Sequence, residues 1–151
     1  MAQTGKVTVV SSVAATQLQA GCAQHAALFL SLDLAAYGLG GRVDSVIRSI
    51  GVLSKEGLIW ELWFFRTSAQ NPTDLDLDRA YGKYLFAAAG TQIAAAGTFH
   101  AYADGLQIPY QDEANTGMLF LALINRSAAA KTAGAAGQVR VQVGLESTLG
   151  W

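Results

Sequence analysis

Residues 57–67 read Gly-Leu-Ile-Trp-Glu-Leu-Trp-Phe-Phe-Arg-Thr (GLIWELWFFRT), which puts two tryptophans and two phenylalanines into one short stretch. A β-strand sends alternate side chains to opposite faces. Leu58, Trp60, Leu62 and Phe64 therefore share one face, and Ile59, Trp63 and Phe65 share the other, where only Glu61 interrupts. An antiparallel sheet commonly rests one face on a core and leaves the other in water. This segment is apolar on both. Either both faces are covered inside the domain, or one is covered by another molecule.

The same alternation recurs on either side of it. KVTVVSSV (6–13) is β-branched, with Val7 and Val9 on one face. LFLSLDL (28–34) sends Leu28, Leu30, Leu32 and Leu34 one way and Ser31 and Asp33 the other. MLFLALINR (118–126) is almost wholly apolar, with Leu119, Leu121 and Leu123 opposing Phe120, Ala122 and Ile124. VRVQVGL (139–145) turns Val139, Val141, Val143 and Leu145 inward and Arg140, Gln142 and Gly144 outward.

RVDSVIRSIGVLS (42–54) is less regular. Val43, Val46, Ile47 and Ile50 fit a helical stripe, but β-branched residues dominate and Gly51 sits inside, so a strand with a bulge or bend is expected. The glycine-rich turn AYGLGG (36–41) precedes it, and KEG (55–57) makes a hairpin turn into the aromatic strand. SAQNPTDLDLDRAYG (68–82) is the main polar excursion. Two short copies, AAAGTQI (87–93) and AAAGTFH (94–100), lead into a strand expected over 93–102. In 106–112, Pro109 suits a sheet edge, and SAAAKTAGAAGQ (127–138) reads as a mobile loop.

About eight short strands separated by turn signals predict an all-β fold. It is an antiparallel two-sheet β-sandwich, jelly-roll-like, with a short irregular or helical segment near 74–86. The two most apolar strands, 58–65 and 118–124, belong at its centre. At 151 residues the chain is read as a single domain, 1–151, with residues 1–5 and 127–138 flexible. A domain of this size holds together without disulfides or metals, and Cys22 is alone in any case.

Charge narrows the function classes. Ten basic and eleven acidic side chains leave a net charge of −1, without the basic stripe that tracks a phosphate backbone, so no nucleic-acid partner is expected. No stretch has the roughly 18–20 consecutive apolar residues of a membrane-spanning helix, and the start lacks a secretory pattern, so a soluble protein folded in the cytoplasm is expected. Charged residues make up only 14% of the chain, against the ~25% typical of soluble domains, and apolar residues make up 52%. Such a chain is suited to burying surface against copies of itself or a partner.

Motifs for chemistry are sparse. Asp74, Asp76 and Asp78 are spaced as the first ligands of a calcium loop, but Arg79 takes the glycine position and Leu85 the position of the closing glutamate. The missing ligands favour a solvated acidic turn, and no metal is assigned. His25 and His100 belong to no metal-binding pattern, Cys22 with His25 reads as an ordinary thiol, and Asp104 near His100 has no serine elbow to complete it. Asp112 and Glu113 are adjacent, so on a strand they point apart. YGLGGR (37–42) fits no phosphate-binding pattern. The chain is expected not to be an enzyme and to carry no cofactor.

The aromatic residues remain. Trp60, Trp63 and Trp151, with Tyr81, Tyr84, Tyr102 and Tyr110, serve either as core and interface anchors or as a sugar-stacking platform. Ile59, Trp63, Phe65 and Trp151 are the candidate protein–protein contacts.

In layout the chain resembles the small β-sandwich cement, or decoration, proteins of tailed-bacteriophage capsids. The likeness runs through YGLGGRVDSVI, IGVLSKEGLIWELWFFRTSAQNPTDLD, GMLFLALINRSAAA and the closing QVRVQVGLEST. It is most specific where the apolar strand reaches Phe64-Phe65 and then the Pro72-Thr73 turn with its acids. The resemblance implies a module on the outside of an icosahedral virion shell, made in the host cytoplasm. It would bind the major capsid protein and pair with itself as dimers or trimers. A head–tail or tail accessory protein, or a carbohydrate-binding β-sandwich, are the alternatives.

Overall fold

The computed structural model describes residues 6–12, 27–34, 45–54, 57–66, 80–88, 90–94, 98–110, 117–127 and 139–147. Ten strands run through them: β1 (Lys6–Ser12), β2 (Ala27–Asp33), β3 (Ser45–Ser54), β4 (Trp60–Phe65), β5 (Ala80–Leu85), β6 (Thr91–Ala94), β7 (Thr98–Ala103), β8 (Ile108–Pro109), β9 (Met118–Asn125) and β10 (Val139–Ser147). Ala80–Leu85 is strand rather than the irregular or helical piece expected near 74–86, and 74–79 lies outside the described residues. The expected mobile loop falls almost wholly outside them as well. No described helix is long and apolar enough to cross a membrane.

The strands form two antiparallel sheets. One has the order β1-β10-β3-β7-β6, with β8 pairing β3 beyond the end of β7, and the other has the order β2-β9-β4-β5. Sequence neighbours thus alternate between sheets, β1 to β2 and β3 to β4, and return after β5. With β6 and β8 set aside, eight strands remain in two four-stranded sheets, and their order is that of a jelly roll. β4 and β9 occupy the middle of the second sheet, where strands with two apolar faces belong.

Between the sheets lies the main core. Leu30, Leu32 and Leu34 line the second sheet's inner surface together with Trp60, Leu62, Phe64, Leu119, Leu121 and Leu123, and the first sheet adds Ile47, Ile50, Val52 and the four inward residues of β10. Fully burying one such side chain contributes about 1.5–3 kcal/mol. Packing is close enough that a Cβ at Gly82, opposite Phe64 on β5, would come within 2.6 Å of Ile108 Cγ2 on β8. Tyr110, just beyond β8, is buried and donates to the carbonyl of Met118 at 2.9 Å, which ties the two sheets together.

The irregular spacing of 42–54 has a simple origin. Against β10, Ser49 pairs with Gly144 and Ile47 with Leu145, so Arg48 has no residue opposite it on β10 and forms a β-bulge. The extra residue brings Ile47 and Ile50, three positions apart, onto the same buried face. That three-residue step imitates a helical stripe in the sequence. Opposite the bulge, Gly144 leaves room for the Ser49 hydroxyl, which would have to rotate away from a Cβ there.

Candidate functional site: the outer face of the second sheet

The second face of the aromatic strand forms a core of its own. Trp63 and Phe65 of β4 join Phe120, Ala122 and Ile124 of β9, with Ala27, Phe29, Ala80 and Met118 packed against them. Every described member of this cluster belongs to the one sheet β2-β9-β4-β5. The inner core, by contrast, draws on both sheets. Pairing of Trp63 with Ala122 and of Phe65 with Phe120 brings large rings and small residues into one cross-strand layer.

Glu61 is the polar interruption on this face, and its surroundings explain why it is tolerated. Trp63 Nε1 donates to Glu61 Oε1. Arg126 Nε donates to Glu61 Oε2 at 3.0 Å, in a pair whose side chains are 27% and 11% exposed for Arg126 and Glu61. Both carboxylate oxygens thus have a partner, one of them charged, as a nearly buried carboxylate requires. Lys83 Nζ lies 5.2 Å from the centre of a Trp63 ring and adds a cation–π contact at the rim. Arg126 is positioned by backbone: its N–H donates to the Ile59 carbonyl at 2.8 Å, while the Ile59 N–H donates to Ser127 Oγ at 2.6 Å.

The sequence candidates fall into three groups. Ile59 is half-buried at the mouth of β4, while Trp63 and Phe65 are 8% and 1% exposed within the single chain. Trp151, Cys22, His25, Asp74, Asp76, Asp78, Asp112 and Glu113 lie outside the described residues. Of the proposed stacking aromatics, Trp60 and Tyr110 are core residues and Tyr81 and Tyr84 pack against the core. Among the described ones only Tyr102 is exposed, at 55%. Among the described residues no three His, Cys, Asp or Glu side chains gather to hold a metal.

Glu61 with Arg126 was not picked out from the sequence as a unit. The signal was there in form, a lone acid on an apolar face and an arginine ending the other apolar strand. Their meeting depends on the β4–β9 register, which pairs Trp60 with Asn125.

These features define the chain as a two-sheet antiparallel β-sandwich of jelly-roll order, with a second apolar cluster on the outer face of one sheet. No family model matches the sequence, and no curated protein matches it. Among solved structures, one of turnip yellow mosaic virus overlaps 97% of this chain and 81% of its own, at 15% identity and a TM-score of 0.36. The empty head of turnip yellow mosaic virus at 100 K overlaps the same shares at 14% identity and 0.37. The virus at 100 K overlaps 97% and 93%, at 15% identity and 0.33. Likeness at this level carries no weight for kinship or function.

Proposed function

We propose that this chain is a virion structural protein, a capsid cement or decoration protein that binds the outer surface of an icosahedral shell. The observation that carries the proposal is the sheet β2-β9-β4-β5, apolar on both faces, in a domain with jelly-roll strand order. Jelly rolls serve as capsid modules among other uses, and a fold by itself leaves function open. The sequence resemblance to phage cement proteins favours the shell among those uses. A sheet stiffened on both sides suits a part whose task is to be leaned on rather than to react.

In this reading the outer face of the second sheet is the contact side. Ile59 and Trp151 meet a neighbour directly, while Trp63 and Phe65 support the surface from beneath. The neighbours are the major capsid protein and further copies of the chain, as dimers or trimers, on the capsid exterior. The mechanism is linkage: a protein that binds only the assembled shell stabilises that shell by mass action.

Light scattering of the purified protein, repeated with empty shells, tests this. The expected result is a stable dimer or trimer that co-sediments with shells at fixed stoichiometry. A monomer that leaves the shells untouched overturns it.

A further inference from the structure

β5 closes one end of the second sheet, and no described strand pairs with its far edge. Its backbone groups divide between the two sides. Phe86 N–H donates to the Trp60 carbonyl at 3.0 Å, and the same register runs on through Tyr84–Leu62 and Gly82–Phe64. In an antiparallel ladder, hydrogen-bonded and non-hydrogen-bonded pairs alternate. Positions 82, 84 and 86 therefore turn their backbone groups to β4, and Lys83 and Leu85 turn theirs outward. Leu85 is also one of two large apolar side chains exposed among the described residues, at 55%. Edge strands are commonly guarded by charge, lysine above all. Here the lysine is drawn inward, with Nζ 5.2 Å from the centre of a Trp63 ring.

We infer that β5 pairs antiparallel with β5 of a second copy of this chain about a two-fold axis, with Tyr84 opposite Tyr84 of the partner subunit. The inference rests on the self-pairing proposed above, not on shell binding, and fixes its strand and register. Outward backbone groups must meet outward ones, so the two-fold can centre on Lys83, Tyr84 or Leu85. Centred on Lys83, it sets like charges directly opposite, which destabilises. Centred on Leu85, it calls on Ala87, beyond the end of β5. Centred on Tyr84, it stays inside the strand. Lys83 then pairs with the partner's Leu85 and Leu85 with the partner's Lys83, each pair exchanging both backbone bonds. The lysine stem covers the exposed leucine. On the inner side of the sheet Tyr84 meets its copy, backed by the Phe86 ring, edge-on to it at 5.1 Å and 73°. The bulge at Tyr81 ends the pairing. Two four-stranded sheets become one of eight strands, with both outer faces on the same side.

Sedimentation velocity of the full chain over a concentration series tests the inference. The parent is expected to be a dimer. Leu85→Pro deletes only an outward N–H, and a monomer with unchanged circular dichroism is expected. Leu85→Lys sets the new lysine against the partner's Lys83, twice in each dimer, and is expected to weaken association about 10-fold or more. Leu85→Glu offers that lysine a counter-charge and is expected to stay within about 3-fold of the parent. Inside one chain the ranking is reversed, because Leu85 pairs with Glu61 on β4, so a loss with lysine is not a folding defect. A monomeric parent, a trimer, or a dimer that these variants leave unchanged overturns the inference. Shells separate it from the cement reading. Shells bound by a monomer overturn this inference alone, and a β5-paired dimer that ignores shells overturns the cement reading alone.

Discussion

The two faces of β4 are built from the same kinds of residue and do different work. Trp60, Leu62 and Phe64 lie between two sheets in a cluster of apolar and aromatic side chains, where the Trp60 indole N–H is buried with no hydrogen-bond partner. Trp63 and Phe65 lie in a one-sheet cluster that includes a carboxylate, a guanidinium and a cation–π contact at its edge. A strand's alternation divides its residues between two faces, but each face's energetics depend on what packs there. The inner face is held by volume. The outer face is held by volume and by a polar network that fixes one arrangement of its rings.

Truncating each face separately is the strongest test of that difference. Phe64→Ala is expected to cost about 3–5 kcal/mol in denaturant unfolding, because the cavity lies between two sheets that cannot close on it. Phe65→Ala is expected at the bottom of the same range, about 3 kcal/mol, since among the described residues its cluster draws on one sheet. Equal losses would remove the distinction. Overfilling probes the inner face from the other direction. Gly82→Val drives a branched side chain into Ile108 and is expected to lower stability by about 2 kcal/mol. An unchanged melting temperature would mean that β8 yields easily.

The polar network offers a finer cut. Glu61→Gln removes the charge facing Arg126 and is expected to cost about 1–2 kcal/mol, limited because the Arg126 side chain still reaches water. In a double-mutant cycle with Arg126→Met, the double variant should lose less stability than the two single losses added together. Strict additivity would show that the pair is not coupled.

The smallest effect is the most specific to the comparison. Trp60→Phe discards an N–H with no partner, whereas Trp63→Phe leaves Glu61 Oε1 without its donor. The first is therefore expected to be milder by about 1 kcal/mol, even though Trp60 is the more buried of the two. The opposite ranking would mean that lost volume outweighs hydrogen bonding on both faces.

Much of this architecture could be read from residue patterns. The inward sets of β2, β4, β9 and β10 fall where their alternation puts them, since a one-residue error would turn every apolar side chain to the wrong face. Pro109 stands in a two-residue strand bordering β3, as a residue without an N–H should. Ala80–Leu85 was harder, because Gly82 and Lys83 dilute its alternation. A second bulge, at Tyr81 between the Phe64–Gly82 and Phe65–Ala80 pairs, breaks its period. The meeting of His100, Tyr102 and Gln142 over Gly51 was less legible still. Its four residues lie on three strands spread from position 51 to 142, and in the sequence Gly51 read as a bulge, His100 as an unmatched histidine and Tyr102 as a stacking aromatic, each by itself.

By itself, the sequence determined that this protein is all-β, that β4 and β9 would be dry on both faces, and that β10 would turn its valines inward. Those properties follow from a period of two along single segments, and local patterns record them. Tertiary structure decided which strands are neighbours, and so which side chains meet. Arg126 reaches Glu61 because β4 and β9 pair in one register, and His100, Tyr102 and Gln142 close over Gly51 because β7, β3 and β10 lie side by side. Pairing between distant segments is settled by the collective burial of both faces of both sheets, a quantity that no single segment carries.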